Sequence, residues 1–223
     1  MSNEKNILIF RDVSLKYSMK IGAPLVVFEN LSFSVYRGQK LGFWGPSGSG
    51  KSSLFYLASG FQSPSQGSIS MKERAGLIHQ QAQLNPWLTC KEILEMEAER
   101  GNNIYDIMEL LEVIDMKKHG EHLFMHLSGG EKQRIALAAT LASGAKIILA
   151  DEPYGRVDSK TAEVEKIFMR KMIEEHNLTL LLASHYNQHF KDLDGVYKII
   201  NKNLKYYPID DYFESQVTET VLI

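Results

Sequence analysis

The sequence predicts an α/β protein in which both ends of the chain build a parallel sheet and a helical block is inserted between them. Short apolar runs typical of strands occupy both ends, whereas the middle shows the 3.6-residue periodicity of helices. The chain has 223 residues. That length exceeds a typical domain of roughly 150 residues by about half. One domain with an insertion is therefore the expected organisation.

The first third of the chain is predicted to be rich in strands, because apolar and polar residues alternate over short runs between Gly, Asn and Pro. A helix is expected over about 51–59, where apolar residues recur at helical spacing and stop at Gly60. Two short strands come after a turn rich in Ser and Pro. The predicted strands are NILIF, DVSLKY, LVVFENLSFSVYRG, KLGFWG, SISM and AGLIHQ.

The middle of the chain is predicted to be helical, over TCKEILEMEAER, NIYDIMELLEVIDM and about 130–142. Two buried strands then flank a long helix, and this order predicts a βαβ unit on a parallel sheet. The three segments are KIILADEP, SKTAEVEKIFMRKMIEEH and LTLLLASH. VYKII and NLKYYPI predict a hairpin, and the polar stretch after them gives no strong signal.

Composition excludes several classes of protein. Hydrophobic residues make up 44% and charged residues 23% of the chain, which is ordinary for a folded globular protein. A net charge of −2 gives no positive field for a phosphate backbone, so we expect no nucleic-acid partner. The single cysteine, Cys90, excludes an internal disulfide and suits a reducing compartment.

Neither a membrane span nor a secretory signal is predicted. The apolar run 178–183 is about a third of the roughly 20 residues that cross a bilayer. The N-terminus, MSNEKNILIF, has acid and amide groups where a signal peptide has apolar residues. We therefore expect a cytoplasmic chain with no direct membrane span.

Residues 45–52, GPSGSGKS, match the phosphate-binding pattern G-x-x-x-x-G-K-[ST] between a predicted strand and a predicted helix. Backbone N–H groups of such a loop wrap phosphates, and the helix N-terminus adds positive potential. In this interpretation Lys51 reaches the β and γ phosphates, and Ser52 offers its hydroxyl to Mg²⁺. The predicted nucleotide ligands are Gly45, Pro46, Ser47, Gly48, Ser49, Gly50, Lys51, Ser52 and Ser53.

Two acidic residues end the predicted strand in KIILADEP, and the carboxyl end of a parallel strand faces a ligand crevice. Given a phosphate loop in the same chain, we expect Asp151 to hold Mg²⁺ through water and Glu152 to polarise the attacking water. An ordinary acidic pair in a loop is the alternative. His185 follows the next strand and is predicted to lie beside the γ-phosphate, the alternative being an ordinary surface histidine.

The run LSGGEKQR, residues 127–134, resembles the signature motif of ATP-binding-cassette ATPases. The order of motifs over about 17–185 is similar to that family too: phosphate loop, glutamine loop, signature, LADEP, an Asp-containing loop and a histidine. Ser128, Gly129 and Gly130 precede a predicted helix and leave its first N–H groups available to an anion. Taken alone, the run could also be an inter-helical turn with a good N-cap.

The resemblance implies a P-loop NTPase (RecA-like) core with an antiparallel β subdomain and an inserted α-helical subdomain. It implies one nucleotide-binding domain over 1–223, with an ATP-binding core of 1–80 and 143–223 and a helical signature subdomain of 81–142. It also implies ATP and Mg²⁺ as ligands and ATP hydrolysis. In that family the signature of one copy closes on the phosphate loop of the other, so a homodimer is expected.

A separate integral-membrane permease subunit is the other partner that the resemblance implies. The chain would then lie on the inner face of the cell membrane through that permease. The run ADEPYGRVDSKT is similar to the ADEPTGNLDSKT pattern of ATPases that serve lipoprotein release, macrolide-type export and the cell-division complex. It differs from that pattern at Tyr154, Arg156 and Val157. These differences affect the assignment to a subfamily more than the expected chemistry.

Three further residues take their roles from the resemblance. Tyr17 matches the aromatic that stacks on adenine, with an ordinary strand aromatic as the alternative. Gln80 matches the glutamine that touches Mg²⁺ and the attacking water. It is chosen by its distance from the Leu and Pro that follow the loop, and Gln81 is the alternative. Asp158 matches the Asp of the loop that communicates between the two sites. The predicted catalytic residues are Lys51, Gln80, Glu152 and His185.

Two other functions stay open at the level of sequence. A switch ATPase without a permease is disfavoured, because the chain has no heptad array and no net positive charge. A mechanical transmitter that activates an extracytoplasmic enzyme fits the motifs as well as a pump does. The same motifs serve import and export, since the permease sets the direction.

Overall fold

The computed structural model describes residues 6–79, 84–101, 106–155 and 159–221. These residues form nine strands and six α-helices, and three short 3₁₀ helices join some of them. In chain order the elements are β1 (Asn6–Tyr17), β2 (Leu25–Tyr36), β3 (Lys40–Trp44), α1 (Lys51–Ser59), β4 (Gln66–Met71), β5 (Ala75–His79), α2 (Cys90–Gly101), α3 (Ile107–Val113), α4 (Gly129–Ala142), β6 (Ile147–Asp151), α5 (Ser159–Glu175), β7 (Thr179–Ser184), β8 (Gly195–Ile200), β9 (Asn203–Pro208) and α6 (Ile209–Val221).

Two compact units make up the chain, one of 1–73 with 179–223 and one of 74–178. Both ends of the chain meet in the first unit, and the second unit is continuous in sequence. The second unit is longer than the predicted helical subdomain of 81–142, because it also contains β5, β6 and α5. The predicted boundaries follow motifs rather than packing, and they stay a prediction.

Parallel pairing organises the larger sheet of the first unit, in the order β7, β3, β8, β9. β3 runs parallel to both β7 and β8, with Trp44 opposite Ser184 on one side and Lys198 on the other. β8 and β9 form the predicted antiparallel hairpin. The carboxyl ends of three parallel strands therefore meet at one edge.

An antiparallel sheet in the order β2, β1, β4 completes the strands of the first unit. The runs NILIF and DVSLKY, predicted as separate strands, form the single strand β1. The backbone kinks at Asp12, which has φ 49°, and the pairing with β2 shifts register between Phe10 and Val13. Asp12 and Ser32 stabilise the kink through two hydrogen bonds of 2.8 and 3.0 Å. A bulge of this kind interrupts the alternation without ending the strand.

Aromatic side chains fill the space between the two sheets of the first unit. Phe43 of β3 is fully buried, stacks on Tyr197 of β8 at 5.3 Å and meets Phe55 of α1 edge-on at 5.7 Å. Phe33 of β2 stacks on Phe10 at 4.5 Å and lies 6.0 Å from Phe43. This cluster fixes β3 and α1, the two elements that flank the predicted phosphate loop.

In the second unit β5 and β6 pair in parallel, from Ala75 opposite Ile147 to His79 opposite Asp151. α4 is buried along most of its length and packs against α2, α5 and β5. α3 ends earlier than predicted, and its N-cap is Asp106, whose carboxylate accepts the N–H groups of Met108 and Glu109.

The helix α6 was missing from the prediction, since the polar residues after NLKYYPI gave no signal. It covers Ile209–Val221, and its residue Tyr212 is fully buried. None of the helices within the described residues is long and apolar enough to cross a bilayer.

Cys90 is fully buried at the first residue of α2. Burial raises the pKa of its thiol to about 11. The N-terminus of a helix normally favours a thiolate, so here the cost of burying the charge outweighs the helix dipole. The thiol is therefore a core group and not a reactive one.

Phe43→Ala should lower the free energy of unfolding by roughly 3–5 kcal/mol, because it removes a ring that packs on two others and leaves a cavity. Urea denaturation of the two proteins measures the change. Phe61→Ala is the control, since Phe61 is 78% exposed. Its effect should stay within about 0.5 kcal/mol. Equal losses in the two variants would contradict the role given to the aromatic cluster.

Candidate functional site

The predicted phosphate loop lies where the sequence placed it, between the end of β3 and the start of α1. Gly48 has φ 80° and Gly50 has φ 102°, both in the left-handed region. A Cβ on Gly50 would meet Val27 Cγ1 at 2.7 Å and Phe28 Cζ at 2.8 Å. Position 50 therefore needs glycine for its conformation and for its close approach to β2.

Lys51 is folded over the loop and is only 5% exposed. Its Nζ donates to the carbonyl oxygens of Gly45 at 2.7 Å and Pro46 at 3.1 Å. The N–H of Ser49 also donates to the Pro46 carbonyl, at 3.1 Å. These bonds close the loop into a tight turn that starts helix α1 and keeps the ammonium group against it.

Several hydroxyl groups surround this turn. Ser52 is exposed on the first turn of α1, and Ser47 is exposed on the loop. Ser49 Oγ is buried and, among the residues described, has no hydrogen-bond partner. A buried hydroxyl that lacks a partner suits an oxygen-rich ligand, because such a ligand would satisfy it.

His185 directly follows β7, the neighbour of β3 in the sheet. Because Ser184 lies opposite Trp44, His185 and Gly45 are the first residues beyond two adjacent strand ends. The sequence prediction of a histidine at the phosphate edge of the sheet is consistent with this register. The imidazole is half-buried, and its ring centroid lies 3.9 Å from that of Tyr186.

Tyr17 ends β1 and is 37% exposed. Its hydroxyl donates to Gln62 Oε1 at 2.8 Å and lies 3.5 Å from Ser53 Oγ on the first turn of α1. The first unit thus holds the predicted adenine-stacking ring close to the phosphate loop. Gln62 had no assigned role, since nothing in a turn of Ser, Pro and Gln distinguishes it.

In the second unit Asp151 is the last residue of β6 and is 9% exposed. Glu152 follows it with φ 49°, a left-handed conformation that is uncommon for a glutamate, and its side chain is half-buried. Strained backbone of this kind concentrates at functional sites, where it redirects a side chain. No pattern in the sequence predicts this conformation of Glu152.

The predicted signature begins helix α4 with a capping box. Glu131 Oε2 accepts both the backbone N–H and the hydroxyl of Ser128, each at 2.7 Å, and Ser128 Oγ accepts the Glu131 N–H at 3.4 Å. These hydrogen bonds lower the pKa of Glu131. Ser128 and Gly129 are exposed, and Gly130 is buried in the first turn. The cap fixes the helix start and leaves Ser128 at the surface.

Two residues of the same motif tie α4 to its neighbours. Gln133 donates to the carbonyl of His79, the last residue of β5, at 3.2 Å. Arg134 Nε lies 3.3 Å from Glu165 Oε1 on α5. Burial raises the pKa of Glu165, and the Arg134 guanidinium opposes that shift. Both links rigidify the signature helix, and no sequence pattern had indicated them.

Tyr154, a departure from the resembled motif, is a core residue. It is 8% exposed and donates from its hydroxyl to Met169 Sδ at 3.3 Å. Burial raises its pKa. It lines a cavity of about 10 Å³ together with Glu165 and Phe168, room for about one water. The larger side chain is thus accommodated by packing against α5.

Several residues that the motifs singled out lie outside the described residues. They are the predicted site residues Gln80 and Asp158, the alternative Gln81, and the departures Arg156 and Val157. The glutamine loop and the Asp-containing loop therefore stay predictions. Of the remaining site residues, Tyr17, the phosphate loop and His185 belong to the first unit, whereas Ser128, Asp151 and Glu152 belong to the second.

A family model described as ABC transporter matches residues 28–155, more than half of the chain. The lipoprotein-releasing system ATP-binding protein LolD of Rickettsia conorii is 32% identical over 89% of this chain and 97% of its own length. LolD of Treponema denticola is 30% identical over 90% and 98%. The taurine import ATP-binding protein TauB of Jannaschia sp. is 29% identical over 80% and 71%.

Solved structures with a similar fold are also ATP-binding cassettes. A putative metal-chelate type ABC transporter in an inward-facing conformation matches with a TM-score of 0.80, over 92% of this chain and 84% of its own, at 23% identity. A dimeric cassette in a post-hydrolysis state, bound to ADP and Pi, matches with a TM-score of 0.79 over 91% and 98%, also at 23% identity. At these identities the likeness concerns the fold alone.

Gly50→Ala should lower the Tm of the nucleotide-free protein by several degrees more than Gly48→Ala does. Both substitutions force alanine into a left-handed conformation, which costs about 1–2 kcal/mol. Only position 50 adds a clash, since nothing lies within 4 Å of a Cβ on Gly48. Differential scanning calorimetry compares the two. Equal shifts would show that the approach of Gly50 to Val27 and Phe28 does not matter.

Proposed function

This chain belongs to the ABC transporter family, and we propose that it is the ATP-hydrolysing subunit of a membrane transport complex that dimerises on ATP to drive a separate permease. The observation that carries the proposal is the glycine loop 45–52, seated between a buried parallel strand and a helix N-terminus, with His185 beyond the neighbouring strand. The relatives support it, because LolD and TauB are named as ATP-binding proteins of a release system and an import system.

Phosphate binding is the task of the loop and of Lys51. Backbone N–H groups at a helix N-terminus are suited to phosphate oxygens, and the loop leads directly into the first turn of α1. Lys51 already lies against the loop, bonded to the Gly45 and Pro46 carbonyls. Its ammonium would therefore lie beside the phosphates that the loop binds. Tyr17, held by Gln62, offers an exposed ring to the adenine base.

Mg²⁺ fits the donors that the motifs supply, since a serine hydroxyl and a carboxylate are the hard oxygen ligands that this ion prefers. Ser52 would bind it directly, Asp151 through water, and Gln80 from the glutamine loop. When bound, the ion would neutralise charge on the β and γ phosphates.

Hydrolysis requires a group that orients and deprotonates water. Glu152 is proposed for this role, because it follows the last residue of β6 in a left-handed conformation that redirects its side chain. His185 would hold the γ-phosphate and respond to its loss. The loss of these contacts after hydrolysis would relax the dimer and move the signature subdomain.

The second half of each ATP site is proposed to come from the partner copy. Ser128 is exposed at the start of α4, beside Gly129 and the N-terminus of the helix. These groups are suited to the γ-phosphate of a nucleotide bound to another copy. Asp158 would communicate between the two sites. The chain would associate with the inner face of the membrane through the permease, whose identity sets the substrate and the direction.

Glu152→Gln should lower ATP turnover by about 10²- to 10⁴-fold while ATP still binds, because the amide keeps the shape of the side chain and loses the base. Steady-state hydrolysis and nucleotide titration measure the two properties. Glu163→Gln is the matched control, an exposed glutamate on α5 that should turn over like wild type. Unchanged turnover of Glu152→Gln would remove Glu152 from the mechanism.

Mixing two inactive variants tests the shared site. A Lys51→Ala chain and a Ser128→Arg chain should each be inactive alone. Together they should recover up to about a quarter of wild-type turnover, since half of randomly formed dimers are mixed and each of those has one intact site. If the loop and the signature of one chain formed the same site, the mixture would stay as inactive as its components.

A further inference from the structure

We infer that helix α6 positions His185, with Tyr212 as the residue that transmits the support. The inference rests on the proposed function, because it concerns the histidine that is to contact the γ-phosphate. It gives a role to a helix that no motif of the sequence indicated.

The direct link is a hydrogen bond between α6 and the segment that follows His185. Tyr212 is fully buried, and its hydroxyl donates to Asn187 Oδ1 at 2.7 Å. Asn187 starts the short 3₁₀ helix Asn187–Phe190, two residues after His185. The position of that 3₁₀ helix therefore depends on a side chain of α6.

Hydrogen bonds within the segment carry this support back to the histidine. The N–H of Tyr186 donates to Ser184 Oγ at 3.0 Å, and the N–H of His189 donates to the Tyr186 carbonyl at 3.1 Å. Ser184 Oγ also lies 2.8 Å from His189 Nδ1. His185 thus lies in a compact loop, and Asn187 of that loop is bonded to α6.

The packing of Phe190 supports the same arrangement. Phe190, fully buried, meets Tyr212 edge-on with ring centroids 5.9 Å apart. On its other side Phe190 fills the space beside Gly42 of β3, where a Cβ would meet its ring at 2.6 Å. Because Gly42 has no side chain, the Phe190 ring packs directly against β3. The 3₁₀ helix is therefore held between β3 and α6.

Lys198 connects Tyr212 to the strand end that leads into the phosphate loop. Lys198 of β8 is 2% exposed, and its ammonium lies over the rings of Trp44, Tyr207 and Tyr212 at 5.6, 5.2 and 5.5 Å. Trp44 is the residue before Gly45. Cation–π attraction is strong where the cation is desolvated, so Lys198 holds the rings of α6 and β3 together. One tyrosine thereby links α6 to both strand ends at the phosphate edge.

Tyr212→Phe tests the inference, because it removes the hydroxyl and keeps the ring. We expect kcat for ATP hydrolysis by the full chain to fall about three- to tenfold, with KM unchanged and Tm lowered by only about 2–4 °C, the effect of losing one buried hydrogen bond to a positioned group. Asn187→Leu should give the same loss, and the double variant should be no slower than the slower single one. Asn187→Asp keeps an acceptor oxygen and should retain turnover.

Tyr207→Phe is the matched control, a tyrosine on β9 whose ring also faces Lys198 and Tyr212. It should hydrolyse ATP like wild type. Wild-type kcat in Tyr212→Phe would overturn the inference, and so would losses that multiply in the double variant. A fall in kcat matched by an equal fall in the fraction of chain that binds nucleotide would also overturn it, because that pattern is a folding defect.

Amide hydrogen exchange separates this inference from the proposed function, since it needs no nucleotide. Residues 185–190 should exchange faster in Tyr212→Phe than in wild type or Tyr207→Phe. If wild type hydrolysed no ATP, the proposed function would fail, while faster exchange would still support the contact of α6 with this segment. Unchanged exchange over 185–190 would overturn the inference by itself.

Discussion

Backbone hydrogen bonds between three parallel strands bring Trp44, Ser184 and Lys198 into one register at the edge of the larger sheet of the first unit. Everything at the phosphate edge of that unit follows from this pairing. The loop that begins at Gly45 and the histidine after Ser184 continue from two of the strand ends, and the lysine that faces α6 lies within the third strand. A shift of one residue in either pairing would turn these side chains to the opposite face of the sheet, so the register specifies the site before any ligand contact is made.

The sequence predicted most of what depends on local pattern. The strands, the phosphate loop and the signature helix lie where alternation, helical spacing and glycine placement put them. What it missed depends on contacts distant in the chain. NILIF and DVSLKY form one strand because Ser32, twenty residues away, stabilises the bulge at Asp12. The helix α6 was missed although Ile209, Tyr212, Phe213 and Val217 follow helical spacing, because the many acidic and hydroxyl residues between them obscure the stripe. The left-handed backbone conformation of Glu152 likewise depends on tertiary structure and not on the local sequence pattern.

In the second unit the core accommodates one departure from the resembled motif. Tyr154 replaces the threonine of the resembled pattern and is buried against Met169, so the change alters core packing between Pro153 and α5. Glu165, a buried acid on the same helix, is balanced by Arg134 of the signature helix. A buried pair of this kind contributes little net stability, but losing one partner is costly, which makes the contact between α4 and α5 specific.

The burial of Cys90 makes this protein convenient for spectroscopy. It is the single cysteine of the sequence, and the raised pKa of its thiol keeps it protonated at the pH of ordinary maleimide labelling. A cysteine introduced at an exposed position such as Phe61 would then be the only group to take up a fluorophore or a spin label. Distances between labels on two copies could be followed through a catalytic cycle without replacing Cys90, which leaves the core around α2 as it is.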